Sequence, residues 1–204
     1  MVASPLSISM SDIKIFNAAL SLLGVPKVGS FLENSSSARV GNQVYADTLE
    51  DALSTYPWRF CQSIERIYPA SIIDVPPQWE SIWVMPEECL NIRTVRVDGQ
   101  IAQFDVFGRH ITLNIPADTT STVIAEFTVL TKPSVWAPYF RAAFIAHLCS
   151  VIAMPITQDE RTAAYWAQQA DMRMRKAKTV DAQGRTPARI DTKMFIRARL
   201  GGRR

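Results

Sequence analysis

The sequence predicts an α+β fold: an antiparallel helical bundle of two N-terminal and two C-terminal helices, with an inserted antiparallel β-sheet domain and an extended C-terminal arm. The first indication is a change in hydrophobic period, which turns from helical to strand-like near Gln62 and becomes helical again after Pro138. These two changes divide the chain into a helical domain (residues 1–61 and 134–180) and a β-sheet insertion (residues 62–133).

The second indication is an uneven distribution of charge along the chain. The 204 residues carry a formal net charge of +3. From Asp181 to Arg204 there are seven basic and two acidic residues, a net charge of +5, which leaves −2 for residues 1–180. The basic character therefore belongs to a C-terminal arm (residues 181–204) and not to the body.

Composition excludes several classes of protein. The 48% hydrophobic and 20% charged residues are typical of a folded globular chain. We expect no membrane segment, because no run approaches about 18–20 apolar residues, and no secretory signal at the N-terminus. The distant cysteines Cys61, Cys89 and Cys149 suit a reducing compartment and burial better than a disulfide framework.

Two amphipathic helices occupy the first third of the chain. Ser11 is expected to cap the first, which closes at Gly24. Ser36 or Ser37 is expected to cap the second, which ends at Tyr56 because a residue that precedes proline is disfavoured in a helix. The first helix places one apolar stripe at Ile13, Phe16, Leu20 and Leu23.

Short segments rich in β-branched and aromatic residues follow. Asp98-Gly99 is a strong signal for a two-residue hairpin, and Gly108 suits the next turn. We expect a single antiparallel sheet of four to six strands with local connections, formed by residues 81–85, 90–97, 101–107, 110–114 and 122–130.

The second helix pair follows Pro138. Residues 139–154 are apolar on most sides, which predicts the central, most buried helix. Thr157 and Glu160 match a capping box at the start of the last helix, which should reach about Lys178. The pattern stops near Gly184, so the arm is expected to be mobile in the free chain.

Residues with catalytic potential are few and scattered. His110 falls in a predicted strand and His147 in the buried helix, where packing or capping roles are expected. The eight glycines form no phosphate-binding loop, and no metal-ligand spacing is present. Glu87 and Glu88 suit a solvated turn. We therefore predict no enzyme activity, no catalytic residues, no cofactor and no metal.

The junction after the second helix has two interpretations. Pro57, Trp58 and Phe60 can form a packing cluster where the helices meet the sheet, or one ring can anchor an interface, because aromatic residues dominate interface energetics. The positions of other aromatic residues near element ends favour some interface use; these are Trp79, Trp83, Trp136 and Tyr139.

The arm also has two interpretations. A generic charged tail would only improve solubility, but apolar residues are interleaved with the cations here. This combination suits a segment that folds onto an acidic partner protein or along nucleic acid. The candidate binding residues are Arg185, Arg189, Lys193, Met194, Phe195, Ile196, Arg197, Arg199 and Leu200.

Three stretches together resemble the head-to-tail adaptors of tailed bacteriophages, also called tail tubular protein A in short-tailed phages. They are residues 15–24, residues 33–39 and residues 53–60, of which Tyr56-Pro57-Trp58-Arg59-Phe60 is the most specific. Shorter likenesses lie at residues 85–90, similar to a Leu-Pro-x-Asp-Cys-Leu turn of that family, and at residues 156–159.

This resemblance implies a virion protein at the head–tail junction. Identical subunits would form a ring, expected to be twelvefold, docked under the portal protein, with DNA passing through its centre without sequence-specific binding. The β-domain would face the tail side and a downstream tail protein (a nozzle, tube or stopper), and the C-terminal arm would grip the portal. The alternative is a nucleic-acid-binding regulator that uses the basic arm, whose affinity would fall steeply with salt.

Overall fold

The computed structural model describes residues 9–70, 75–117 and 121–184, and it has the predicted α+β fold. Four helices enclose a β-insertion in sequence order, and a 3₁₀ turn at Arg59–Cys61 joins α2 to the insertion. The elements are α1 (Met10–Leu22), α2 (Ser36–Ser54), β1 (Gln62–Arg66), β2 (Ser81–Val84), β3 (Cys89–Val97), β4 (Gln100–Ala102), β5 (Phe104–Phe107), β6 (His110–Leu113), β7 (Val123–Val129), α3 (Pro138–Thr157) and α4 (Glu160–Gln183).

Helix α3 is the centre of the bundle, as its composition predicts. It packs against α1, α2 and α4, and Phe140, Phe144 and Leu148 are fully buried. Against expectation, α3 is long and apolar enough to cross a membrane by length and composition, because Arg141 is its one formally charged residue. The core helix of a globular bundle has the same properties, and the buried side chains of α3 are covered by other helices of this chain.

The two N-terminal caps lie slightly earlier than predicted. Ser9, and not Ser11, precedes α1: its backbone N–H and its hydroxyl both donate to Asp12 Oδ2, over 2.7 and 2.6 Å. Ser35, and not Ser36 or Ser37, caps α2 by accepting the backbone N–H of Ala38. In both cases a neighbouring serine has the extended backbone that a cap requires. The predicted stripe of α1 is partly correct, because Phe16 and Leu20 are buried but Ile13 and Leu23 are half-buried.

The predicted capping box at the start of α4 is wrong. Helix α3 runs on to Thr157, whose hydroxyl donates to the backbone oxygen of Ala153 and so belongs to the preceding helix. Asp159 caps α4 instead, and its carboxylate accepts the backbone N–H groups of Arg161 and Thr162. An ionised acceptor at the positive end of a helix is favoured over a hydroxyl.

The insertion holds two antiparallel sheets and not one. The first has the strand order β1-β7-β3-β4 and the second β2-β6-β5. The predicted strand at residues 101–107 is interrupted at Gln103, because β4 pairs with β3 in one sheet and β5 pairs with β6 in the other. The unpredicted strand β1 pairs with β7, which lies far away in the sequence.

The insertion has its own hydrophobic core. Val95, Ile111, Leu113 and Phe127 are among its buried residues, and they form a cluster separate from that of the helical bundle. The hairpin between β3 and β4 turns at Asp98-Gly99 with both φ angles positive, as a type I′ turn requires. Bundle and insertion therefore have separate cores, and the junction at residues 57–61 is one of the connections between them.

Helix α4 extends further than predicted. It ends at Gln183, so residues 181–183, which the sequence assigned to the arm, are helical. Asp181 is 1% exposed. All nine candidate binding residues of the arm, from Arg185 to Leu200, lie outside the described residues.

Candidate functional site at the helix junction

The junction forms because Pro57 prevents α2 from continuing. The helix ends at Ser54, and the chain then turns so that the indole of Trp58 enters the bundle with no exposed surface. Trp58 Nε1 donates to the backbone oxygen of Ala52 over 2.9 Å. The indole thus caps one of the last carbonyls of α2 and fixes the direction in which the chain leaves the helix.

Aromatic rings surround Trp58 on several sides. Its ring centroid lies 4.7 Å from that of Tyr56, 4.8 Å from that of Phe140 and 6.2 Å from that of Phe60. Phe60 is partly exposed and also contacts Phe140 at 4.9 Å. The ring contacts continue from Phe140 through the bundle core to Trp136, Phe144, Tyr45, Phe31 and Phe16.

The end of α4 is fastened to this junction by Asp181. Its Oδ1 accepts a hydrogen bond from Tyr139 over 2.5 Å and another from the backbone N–H of Arg59 over 3.3 Å. One helical turn earlier, the hydroxyl of Tyr56 donates to the backbone oxygen of Lys178. The point from which the basic segment departs is therefore held against residues 56–59.

The electrostatics of the junction follow from burial beside one carboxylate. Burial and the hydrogen bond to Asp181 raise the pKa of Tyr139 to about 12. Burial, helped by the negative charge of Asp181, raises the pKa of the Cys61 thiol to about 12. Both groups stay protonated at neutral pH, so Tyr139 acts as a hydrogen-bond donor and Cys61 as a small buried side chain.

A groove of about 310 Å³ between α2 and α4 brings together Asp51, His147 and Ser150. These residue types occur in nucleophilic catalysis, but the geometry is wrong for it. The hydroxyl of Ser150 donates to the backbone oxygen of its own helix neighbour His147, over 2.6 Å, and not to the imidazole. His147 Nε2 lies 3.8 Å from Asp51 Oδ2, a distance beyond hydrogen bonding.

The two histidines and the three cysteines form no common site among the described residues. His147 lies in α3, and burial lowers the pKa of its imidazole. His110 lies in β6, where it is half-buried and is paired with Val84 of β2 and Phe107 of β5. Within the described ranges, no three His, Cys, Asp or Glu side chains lie close enough to hold a metal ion. All three cysteines are buried and free.

Two tryptophans considered for interface use are core residues. Trp83 is 1% and Trp136 3% exposed, and their indole N–H groups donate to Ser81 Oγ and to the backbone oxygen of Thr131. Trp79 and Tyr139 are half-buried. Position near the end of an element therefore did not indicate exposure.

Sequence reasoning missed Asp181 as the residue that connects the two candidate regions. A signal was present: Asp181 continues the three- and four-residue steps of the core-facing positions Ala170, Met174 and Ala177 on α4, of which Met174 is half-buried. A carboxylate at a core position of a helix requires hydrogen-bond donors nearby.

A comparison of the chain with protein-family models finds no match, and neither does a comparison with curated proteins.

Proposed function

We propose that the chain is a subunit of the head-to-tail adaptor ring of a tailed bacteriophage, located in the virion between the portal and the tail. The sequence motifs at residues 15–24, 33–39 and 53–60 support this proposal, and so does the order of two helices, β-insertion, two helices and basic segment. A structural role is also consistent with a junction whose polar groups are used for packing and capping.

The observation that carries the proposal is the attachment point of the basic segment. Asp181 holds the end of α4 against the backbone of Arg59, within the motif that resembles adaptors most specifically. The described part of the chain therefore ends at Gly184, at a defined position beside this motif. Twenty residues can span at most about 70 Å when extended, so the segment can reach well beyond its own subunit.

In this proposal the segment binds the portal in two steps. Its cations steer it to an acidic groove, and its apolar residues Met194, Phe195, Ile196 and Leu200 hold it there. Charges at the rim of an interface mainly alter association rates, whereas buried anchors alter dissociation. Replacing Arg197 and Arg199 should therefore slow capture in a salt-dependent way, and Phe195→Ala should speed release.

The test compares the full chain with a chain that ends at Gly184, measured for binding to immobilised portal rings at low and high salt. Ending at Gly184 keeps Asp181 and its hydrogen bonds, so the body of the control protein is unchanged. We expect loss of binding on truncation. Full-strength, salt-independent binding by the truncated chain would refute the role of the segment, and tight binding of the isolated segment to duplex DNA would favour the regulator.

A further inference from the structure

Three carboxylates lie exposed in the second half of α2: Asp47, Glu50 and Asp51, here called the acidic surface. This position disfavours Asp51, which lies in the last turn beside the partial negative charge of the helix end, and Asp47 and Asp51 repel each other at i,i+4 spacing. Among the described residues, the one side chain within ion-pair distance of this surface is His147, at 3.8 Å from Asp51, and burial lowers the pKa of that imidazole. The stability of α2 alone thus does not account for these carboxylates.

Helix α4 offers a surface of the opposite charge, formed by Tyr165, Met172, Arg173 and Lys176 and here called the basic surface. Arg173 and Lys176 are exposed, and neither forms an ion pair with any described residue. At 100° per residue Tyr165, Met172 and Lys176 lie on one side of α4, away from its core-facing residues, and Arg173 lies at the edge of this surface, next to the buried Trp166. Tyr165 and Met172 are 54% and 56% exposed. Tyr165, Met172 and Arg173 belong to residue types that are enriched in interfaces.

We infer that the acidic surface of one copy of this chain binds the basic surface of the next copy. The inference deepens the proposed function and rests on it, because an adaptor ring needs a repeating contact between subunits. Charge complementarity indicates that the binding partner is a second copy of this chain. Each surface lacks oppositely charged partners, and the other surface, which is on the same chain, supplies them. Tyr165 and Met172 provide the apolar contacts, and the four unpaired charges orient the two helices.

This pairing joins two different surfaces of the chain, which is the kind of contact that a ring requires. A contact between two unlike surfaces leaves one surface of each kind free on the outer copies, so the contact repeats and closes when the rotation permits. A contact between two like surfaces would stop at a dimer. The two helices have 19 and 24 residues, which correspond to lengths of about 28 and 36 Å.

The test uses two charge-reversed variants, Asp47→Lys/Glu50→Lys and Arg173→Glu/Lys176→Glu, measured by sedimentation velocity over a wide concentration range. Wild type should self-associate, and less so as salt increases. Each variant alone brings like charges together and should associate about tenfold or more weakly. An equimolar mixture should regain association, because the reversed, now positive α2 surface of the first variant matches the reversed, now negative α4 surface of the second, and the two unchanged surfaces also match.

The restored association in the mixture also shows that both variants are folded. The matched control is Glu87→Lys/Glu88→Lys, which makes the same change in net charge on an exposed turn of the insertion and should associate like wild type. Wild type that stays monomeric at every concentration, a mixture without restoration, or a control as weak as the first variant would each overturn the inference.

Binding to portal rings, measured separately, distinguishes this inference from the proposed function. If the chain self-associates in a charge-dependent way but does not bind the portal, the proposed adaptor function is refuted and the inferred contact between subunits is supported. If the chain binds the portal but neither charge reversal changes its self-association, the proposed adaptor function is supported and the inferred contact between subunits is refuted.

Discussion

Replacing Trp58 by alanine removes a fully buried indole from the junction between the two cores. Substitutions of this kind cost about 3–5 kcal/mol of unfolding free energy when the site cannot collapse. Collapse is restricted here, because the ring contacts Tyr56, Phe60 and Phe140, which belong to different elements and are fixed by contacts of their own. We therefore expect a loss within this range.

A second substitution separates packing from hydrogen bonding. Trp58→Phe keeps an aromatic ring but removes the N–H that donates to the backbone oxygen of Ala52, a residue that is 3% exposed. A buried acceptor left without its partner costs about 1–3 kcal/mol. Trp58→Phe should thus be less destabilising than Trp58→Ala but clearly measurable.

Urea denaturation followed by far-UV circular dichroism measures both effects as changes in the transition midpoint. Tyr68→Ala is the matched control, because this aromatic side chain is 59% exposed on the insertion and should change stability by less than about 1 kcal/mol. A cost for Trp58→Ala no larger than that of the control would refute the reasoning. Unchanged stability together with lost ring assembly would make Trp58 an interface anchor.

Two further predictions concern close packing and alkaline pH. In Gly41→Ala the new Cβ would lie 2.6 Å from ring atoms of Phe16 and Phe31, so we expect a loss of about 1–3 kcal/mol by urea denaturation; an unchanged midpoint would contradict it. The pKa of Tyr139 is raised from 10.0 to about 12, so its stabilising effect is complete below pH 10 and is lost as the pH rises toward 12. Tyr139→Phe should therefore flatten the decrease in urea midpoint over this interval, and parallel curves for the variant and wild type would refute the assignment.

The elements that sequence predicted well are those with a strong local signal. Residues 139–154 are apolar on most sides, and only a central helix buries all of those sides, so α3 was recognisable without any knowledge of its neighbours. The Asp98-Gly99 turn depends on two adjacent residues that tolerate positive φ angles. The cap positions shifted because several adjacent serines offer nearly equivalent hydroxyl groups, and the backbone selects among them.

The elements that sequence missed depend on distant partners. Strand β1 has mostly exposed, polar side chains and exists because β7 pairs with it across about sixty residues of chain. The division into two sheets likewise follows from which strands β4 and β5 pair with, and not from any change in local pattern near Gln103. The hydrophobic period of a segment indicates which of its residues are buried, but it does not indicate which distant segment pairs with it.

In the candidate site, too, the residues with a local signal could be predicted from the sequence and those that depend on distant partners could not. Pro57 and Trp58 were identifiable because a proline that follows a helix and a cluster of aromatic residues are local features. The part played by Asp181 depends on Tyr139 and Arg59, which are distant in sequence, so its acidic character alone suggested a surface residue of a charged tail. Because Asp181 is buried, cutting the chain at residue 180 would damage the body and remove the basic segment at once. A loss of portal binding after that cut would have no single cause, whereas the same loss after a cut at Gly184 would be due to residues 185–204.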